Sequence, residues 1–81
     1  MDYVYILKSR THSQKYYVGY TNNIKRRLEQ HNTSPTSNHT SIYGPWEVIR
    51  YIAFDERKSA RTFEKYLKTP SGKAFLKKHL I

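Results

Sequence analysis

Two short runs near the N-terminus, Tyr3-Val4-Tyr5-Ile6-Leu7-Lys8 and Lys15-Tyr16-Tyr17-Val18-Gly19-Tyr20, restrict this chain more than any other feature. Both are built from β-branched and aromatic residues, the types that fit a pleated surface. The segment Arg10 to Gln14 between them is polar, short and turn-like. The pair reads as an antiparallel hairpin. Successive side chains on a strand point to opposite faces, and here both faces are bulky and apolar, so the hairpin needs cover on both sides.

The rest of the chain is read as that cover. Thr21-Asn22-Asn23 offers capping side chains before Ile24 to His31, a helix of about two turns. Residues 32–45 are rich in Asn, Thr and Ser, with Pro35, Gly44 and Pro45 as breakers, and read as a long loop of the kind usually tied to function or mobility. Glu47 to Phe54, led in by Trp46, is a third strand. Asp55 is placed to cap a second helix running to about Lys68. Thr69-Pro70-Ser71-Gly72 breaks that helix, and Pro70 suits the first turn of a short last one ending near His79. The expected fold is α+β: a small three-stranded antiparallel sheet flanked by helices, in the order β-β-α-β-α-α. At 81 residues one domain, 1–81, takes the whole chain.

Cysteine is absent, which removes disulfides, thiolate metal sites and a cysteine nucleophile together. No apolar run is long enough for a signal peptide or a membrane span, so the expected setting is cytoplasmic, nucleoid association included, with no membrane partner. Charge points to the partner. Fifteen Lys and Arg stand against six Asp and Glu, a net +9, and from Arg57 onward eight basic residues accompany one acid, Glu64. Such a surplus attracts polyanions by steering and by releasing counterions from a phosphate backbone. DNA, whether duplex, branched or single-stranded, is the expected partner. Lys25, Arg26, His39, Lys65, Lys68 and Lys73 are the candidate contacts to it.

Two charges fall on core-facing stripes. Extending Ile24 and Leu28 at helical spacing picks up Arg27 and His31, and the second helix's stripe is Ala60, Phe63, Glu64 and Leu67. A charge held on such a face needs a partner or a ligand. Arg27 and Glu64 either pair with each other as a structural ion pair or stand at the rim of one cleft. In the second case the guanidinium fork suits a phosphate oxygen. The lone carboxylate suits Mg²⁺, which keeps most of its waters and takes one or two protein ligands. Those are the minimum parts for metal-assisted phosphodiester hydrolysis. By alternation Tyr3, Tyr5 and Leu7 share one face of the first strand, and Tyr17 and Gly19 share a face of the second. A tyrosine hydroxyl serves as a base at neutral pH only if cations such as Arg27 or His31 hold its phenolate; otherwise it orients a metal-activated water. Each tyrosine taken singly is also a good core aromatic, and Gly19 marks either a bulge or a close backbone approach. Among the histidines, His12, His31, His39 and His79 show no metal-ligand spacing, and His12 and His79 read as surface residues.

Taken together these segments resemble the GIY-YIG nuclease superfamily. Tyr3-Val4-Tyr5 matches its first motif and Tyr17-Val18-Gly19 its second; Asn23 to His31 is similar to its arginine-bearing helix, and Glu64 stands where its glutamate does. Gly44-Pro45-Trp46 and the Ser71-Gly72-Lys73-Ala74-Phe75 tail are also similar to the small stand-alone bacterial members. The resemblance implies a metal-dependent DNA endonuclease, structure-selective in repair or recombination, using Mg²⁺ with Mn²⁺ as a possible substitute. Glu64 would be the sole protein ligand to the metal and Arg27 would contact the scissile phosphate. Tyr5 would be the base or water-orienting group, with Tyr17 supporting it. His31 would assist proton transfer or hold a phosphate, and Gly19 would allow close packing. Three departures accompany this match. Tyr3 replaces the first motif's glycine, no Asn follows Asn38, and the chain is expected to act without a second DNA-binding domain, so target choice would rest on weak sequence preference or a protein partner.

Two other readings remain. A module of the same fold without turnover would bind DNA regardless of Mg²⁺ and of Glu64. A protein-interaction subunit of a larger repair complex would dock its partner through Trp46, Tyr43 and the 32–45 loop, and would show an exposed aromatic patch.

Overall fold

A computed structural model describes residues 1–33 and 44–81, apart from the side chain of Thr33. Strand β1 (Asp2–Ser9) is central, with β2 (Tyr16–Thr21) on one side and β3 (Trp46–Phe54) on the other, both antiparallel to it. Helix α1 (Ile24–Thr33) follows the hairpin, and α2 (Arg57–Leu67) follows β3. The short α3 (Pro70–Phe75) runs on into a π-helical turn at Leu76–Leu80. This is the α+β fold and element order expected from the sequence. His39 and Tyr43 lie outside the described residues.

The strand alternation sorts the core into two clusters. Val4 and Ile6 of β1 pack with Ala60, Leu67 and Leu76 of the C-terminal helices. Tyr5 and Leu7, one residue out of phase, pack with Trp46 and with the half-buried Tyr17, Leu28 and Val48. Both faces of the hairpin are covered, as its composition demands. Each fully buried aliphatic side chain contributes roughly 1.5–3 kcal/mol, and Val4, Ile6, Leu7 and Leu67 are all at most 1% exposed.

Register fixes which side chains meet. Tyr5 lies opposite Gly19 and Leu7 opposite Tyr17, so these four share a face. The β-bulge expected as one option at Gly19 is instead in the β1–β3 pairing, between Ile6 and Leu7. Gly19 is a close approach: a Cβ built there would sit 2.3 Å from the Tyr5 hydroxyl. Gly72 does the same for the helices, since its Cβ would lie 1.7 Å from the Tyr66 carbonyl oxygen.

Two boundaries differ from the sequence reading. Helix α1 continues through Asn32 and Thr33, where the Asn side chain clamps the chain that returns as β3: its Oδ1 accepts from the Trp46 amide at 2.7 Å and its Nδ2 donates to the Trp46 carbonyl at 3.2 Å. The N-cap of α2 is Glu56, not Asp55, and it makes no side-chain capping bond. Pro70 does open α3, behind Thr69, whose hydroxyl accepts from the Gly72 amide at 3.1 Å.

Candidate active site

The site forms where the Tyr5 face of the hairpin meets α1. The Tyr5 hydroxyl lies 2.9 Å from His31 Nε2, and both residues are buried, at 2% and 7% exposure. Tyr17 flanks the imidazole edge-on, with centroids 4.7 Å apart, and sits 6.3 Å from the Tyr5 ring. Gly19 makes room for the Tyr5 ring, so the strand pairing that buries Leu7 also aims this hydroxyl. His31 Nδ1 is buried without a hydrogen-bond partner among the described residues. An orphaned buried nitrogen is a cost that packing alone does not require.

Arg27 and Glu64 both act on this pair. Burial pushes the Tyr5 hydroxyl well above the ordinary tyrosine range. Tyr17 and the Glu64 carboxylate add to that rise, while the Arg27 guanidinium opposes it. Burial lowers the His31 imidazole below its usual value, with Arg27 contributing. At neutral pH the pair is therefore a protonated phenol beside an uncharged imidazole. Of the two roles open to Tyr5, this environment disfavours the phenolate held by cations, because desolvation of the charged form outweighs Arg27. Tyr5 is left as an orienting or relaying hydroxyl.

Of the two readings of Arg27 and Glu64, the closed ion pair is not found. Arg27 is exposed, one turn before His31, and makes no ion pair with a described residue. The helix presents it at the rim and not in the core, so its position carries no burial cost. Glu64 is drawn in, with its side chain 14% exposed, and its Oε2 accepts from Lys68 Nζ at 2.8 Å. That bond was open to sequence reasoning, since residues four apart are neighbours on a helix.

Glu64 stands apart from other ligands. No group of three or more His, Asp or Glu side chains suited to a metal occurs among the described residues. A cage-type ion such as structural zinc is not accommodated. A single, mostly enclosed carboxylate does fit an ion that keeps its waters and shares phosphate oxygens, as Mg²⁺ does.

Lys25, Arg26, Lys65, Lys68 and Lys73 are all exposed. They are not one patch. Lys25 borders a depression with Asn22, Asn23 and Tyr51, whereas Lys68 and Lys73 border a separate groove along β2. His12 and His79 are exposed as expected, with His79 stacked 4.9 Å from Phe75. Trp46 is 4% exposed and packed against Tyr17, so it offers no docking surface, and that part of the interaction-subunit reading is removed. No helix among the described residues is long and apolar enough to cross a membrane.

Comparison with known proteins agrees with this fold. The family model described as the GIY-YIG catalytic domain matches residues 1–78. A UPF0213 protein of Clostridium perfringens is 35% identical over 68 residues, covering 84% of this chain and 71% of the relative. One from Oceanobacillus iheyensis is 42% identical over 64 residues, covering 79% and 71%. The structure-specific endonuclease subunit SLX1 homolog of Giardia intestinalis is 35% identical over 65 residues, 76% of this chain but 18% of that protein. The solution NMR structure of a UPF0213 protein from Bacillus halodurans superposes with a TM-score of 0.53 at 29% identity, over 94% of this chain and 82% of that one.

Proposed function

The chain belongs to the GIY-YIG catalytic domain family, and on that premise we propose that it is a Mg²⁺-dependent DNA endonuclease acting on branched or single-stranded substrates of repair or recombination. The observation that carries the reading is the convergence of Arg27 and Glu64 on the buried Tyr5–His31 pair without neutralising each other. A structural ion pair would have closed. Here an exposed guanidinium stays available for a phosphate, and a carboxylate is held by nothing stronger than a flexible lysine.

In this reading Arg27 grips the scissile phosphate through its planar fork, and the charge it neutralises grows as the phosphorane-like transition state forms. Glu64 would hold the cation, with Mn²⁺ able to replace Mg²⁺. The bound ion would acidify a coordinated water and neutralise phosphate charge. Tyr5 lies within hydrogen-bond reach of His31 Nε2, so its hydroxyl can take a proton from the attacking water while passing its own to the uncharged imidazole. Phosphate bound at Arg27 removes the charge that disfavours that imidazolium. Tyr17 packs edge-on against the imidazole and helps keep it in place. A cytoplasmic setting and a protein partner for targeting accompany this reading; the Giardia relative's name, an endonuclease subunit, supports such a partner.

The test is cleavage of branched, single-stranded and duplex DNA with Mg²⁺ or Mn²⁺, comparing wild type, Glu64→Ala and Arg27→Ala. Each substitution should lower the rate by on the order of 10²–10³, the usual effect of removing one charge-stabilising group. Equal rates in all three proteins, or no cutting by wild type on any substrate, would defeat the proposal.

A further inference from the structure

A broad groove lies beside the catalytic cluster, not in it. It measures about 780 Å³ and runs along β2 against the C-terminal helices. Its floor is apolar, made by Val18, Leu67 and Leu76, the last two buried. Around it stand Lys15, Lys68, Lys73 and Lys77, all exposed, and among the described residues no acidic one lines it. Lys68 is paired with Glu64, but the fold already covers the sheet here, so stability does not call for three more cations around the hollow. Like charges gathered around a hollow repel one another, and a polyanion lying in it relieves that repulsion.

Two lining residues also belong to the site. Tyr17 lies along the groove and against His31, and Lys68 lies along it while bonded to Glu64. Tyr17 and Lys68 therefore join the groove to the site, and a chain cut there meets the groove's cations as it leaves. The floor decides what kind of chain. A duplex turns its base faces inward and would meet this surface with phosphates alone, leaving the apolar floor unused. A single strand carries phosphates and exposed base faces together, which matches a basic groove with an apolar bed.

We propose that this groove holds the single-stranded arm of the nucleic acid cut at the neighbouring site, with phosphates on Lys15, Lys68, Lys73 and Lys77 and at least one base against Val18 and Leu76. The assignment rests on the nuclease reading for its direction, yet it can be tested without cleavage. Binding of a fluorescein-labelled oligothymidylate of roughly 12 nucleotides, within the usual span of such grooves, is followed by anisotropy in EDTA across a salt series. The triple variant Lys15→Ala/Lys73→Ala/Lys77→Ala leaves the catalytic cluster intact. It should bind at least tenfold more weakly than wild type, and its salt slope should fall by about 2, near 0.7 for each phosphate no longer neutralised. An abasic oligomer of the same length should bind wild type several-fold more weakly than the thymidylate. Unchanged affinity and slope in the triple variant would overturn the proposal, as would equal binding of the abasic chain. Preferential capture of an acidic peptide over the oligonucleotide would assign the groove to a protein instead. If wild type cuts nothing but these binding results hold, the nuclease reading fails and the groove assignment stands.

Discussion

The two faces of the sheet divide the work of this small domain. One carries Val4 and Ile6 against Ala60, Leu67 and Leu76, an apolar cluster. The other carries Tyr5, Leu7 and Trp46 beside His31, with a hydroxyl–imidazole hydrogen bond and an orphaned ring nitrogen. The same strand supplies both, because alternate residues of β1 point opposite ways. Stability and chemistry can therefore vary almost independently one residue apart. An 81-residue chain gains from this, since its apolar face anchors a second face that keeps costly polar groups where substrate can use them.

The sharpest way to break this division is to exchange the effects of adjacent residues. Ile6→Ala removes a fully buried side chain from the apolar face and should cost about 2–5 kcal/mol of stability. Thermal unfolding should shift by about 4–8 °C per kcal/mol, while the cleavage rate per folded molecule is unchanged at low temperature. Tyr5→Phe, next door, should do the reverse. Cleavage falls about 100-fold, the lower range for removal of a proton-transfer group, while stability changes by only about 1 kcal/mol, near the net value of one hydrogen bond. If stability and activity fell in proportion in both variants, the two faces would be one cooperative unit and the division would fail.

A smaller effect comes from pH. The folded state depresses the His31 pKa, by burial first and Arg27 second. As pH falls below about 6.5, the ordinary histidine value, the unfolded chain gains a proton that the folded chain resists. Stability contributed by His31 is therefore full above that value and lost as pH falls towards the lower folded pKa. Tyr5 acts at the other end: its raised pKa makes stability fall as pH rises past about 10, where the unfolded tyrosine ionises first. Melting temperatures from pH 8 to 5 should fall for wild type and flatten for His31→Asn. A parallel fall in both proteins would assign the acid sensitivity elsewhere.

Most of the fold is legible in the sequence because it rests on short-range pattern. The hairpin follows from two β-rich runs around a polar turn, and Pro70 and Thr69 mark α3 by their own chemistry. The start of α2 is misleading, because Asp55 has the right side chain for a cap but the chain turns one residue later, at Glu56. In the site, the stripe positions of His31 and Glu64 are readable from helical period, and Glu64 is indeed drawn in. Helical period sets Arg27 too deep: a long side chain beside a stripe reaches solvent, which spacing alone does not reveal. The charge of Tyr5 is also hidden, since its ionisation depends on how completely Gly19, Tyr17 and His31 enclose it, a tertiary quantity. The Asn32 clamp and the Lys15–Lys77 side of the groove join segments distant in sequence, and no local signal announces them.

Everything in the proposed chemistry passes through one carboxylate, so the most direct measurement is a Mg²⁺ titration of DNA cleavage by wild type and Glu64→Gln. The amide keeps the size of the side chain and removes its charge, leaving the fold and the melting temperature nearly unchanged. Wild type should cut with a saturable dependence on Mg²⁺, and Glu64→Gln should show no cutting above background at any concentration. Cleavage by Glu64→Gln with the wild-type Mg²⁺ dependence would contradict the placement of the metal and, with it, the mechanism.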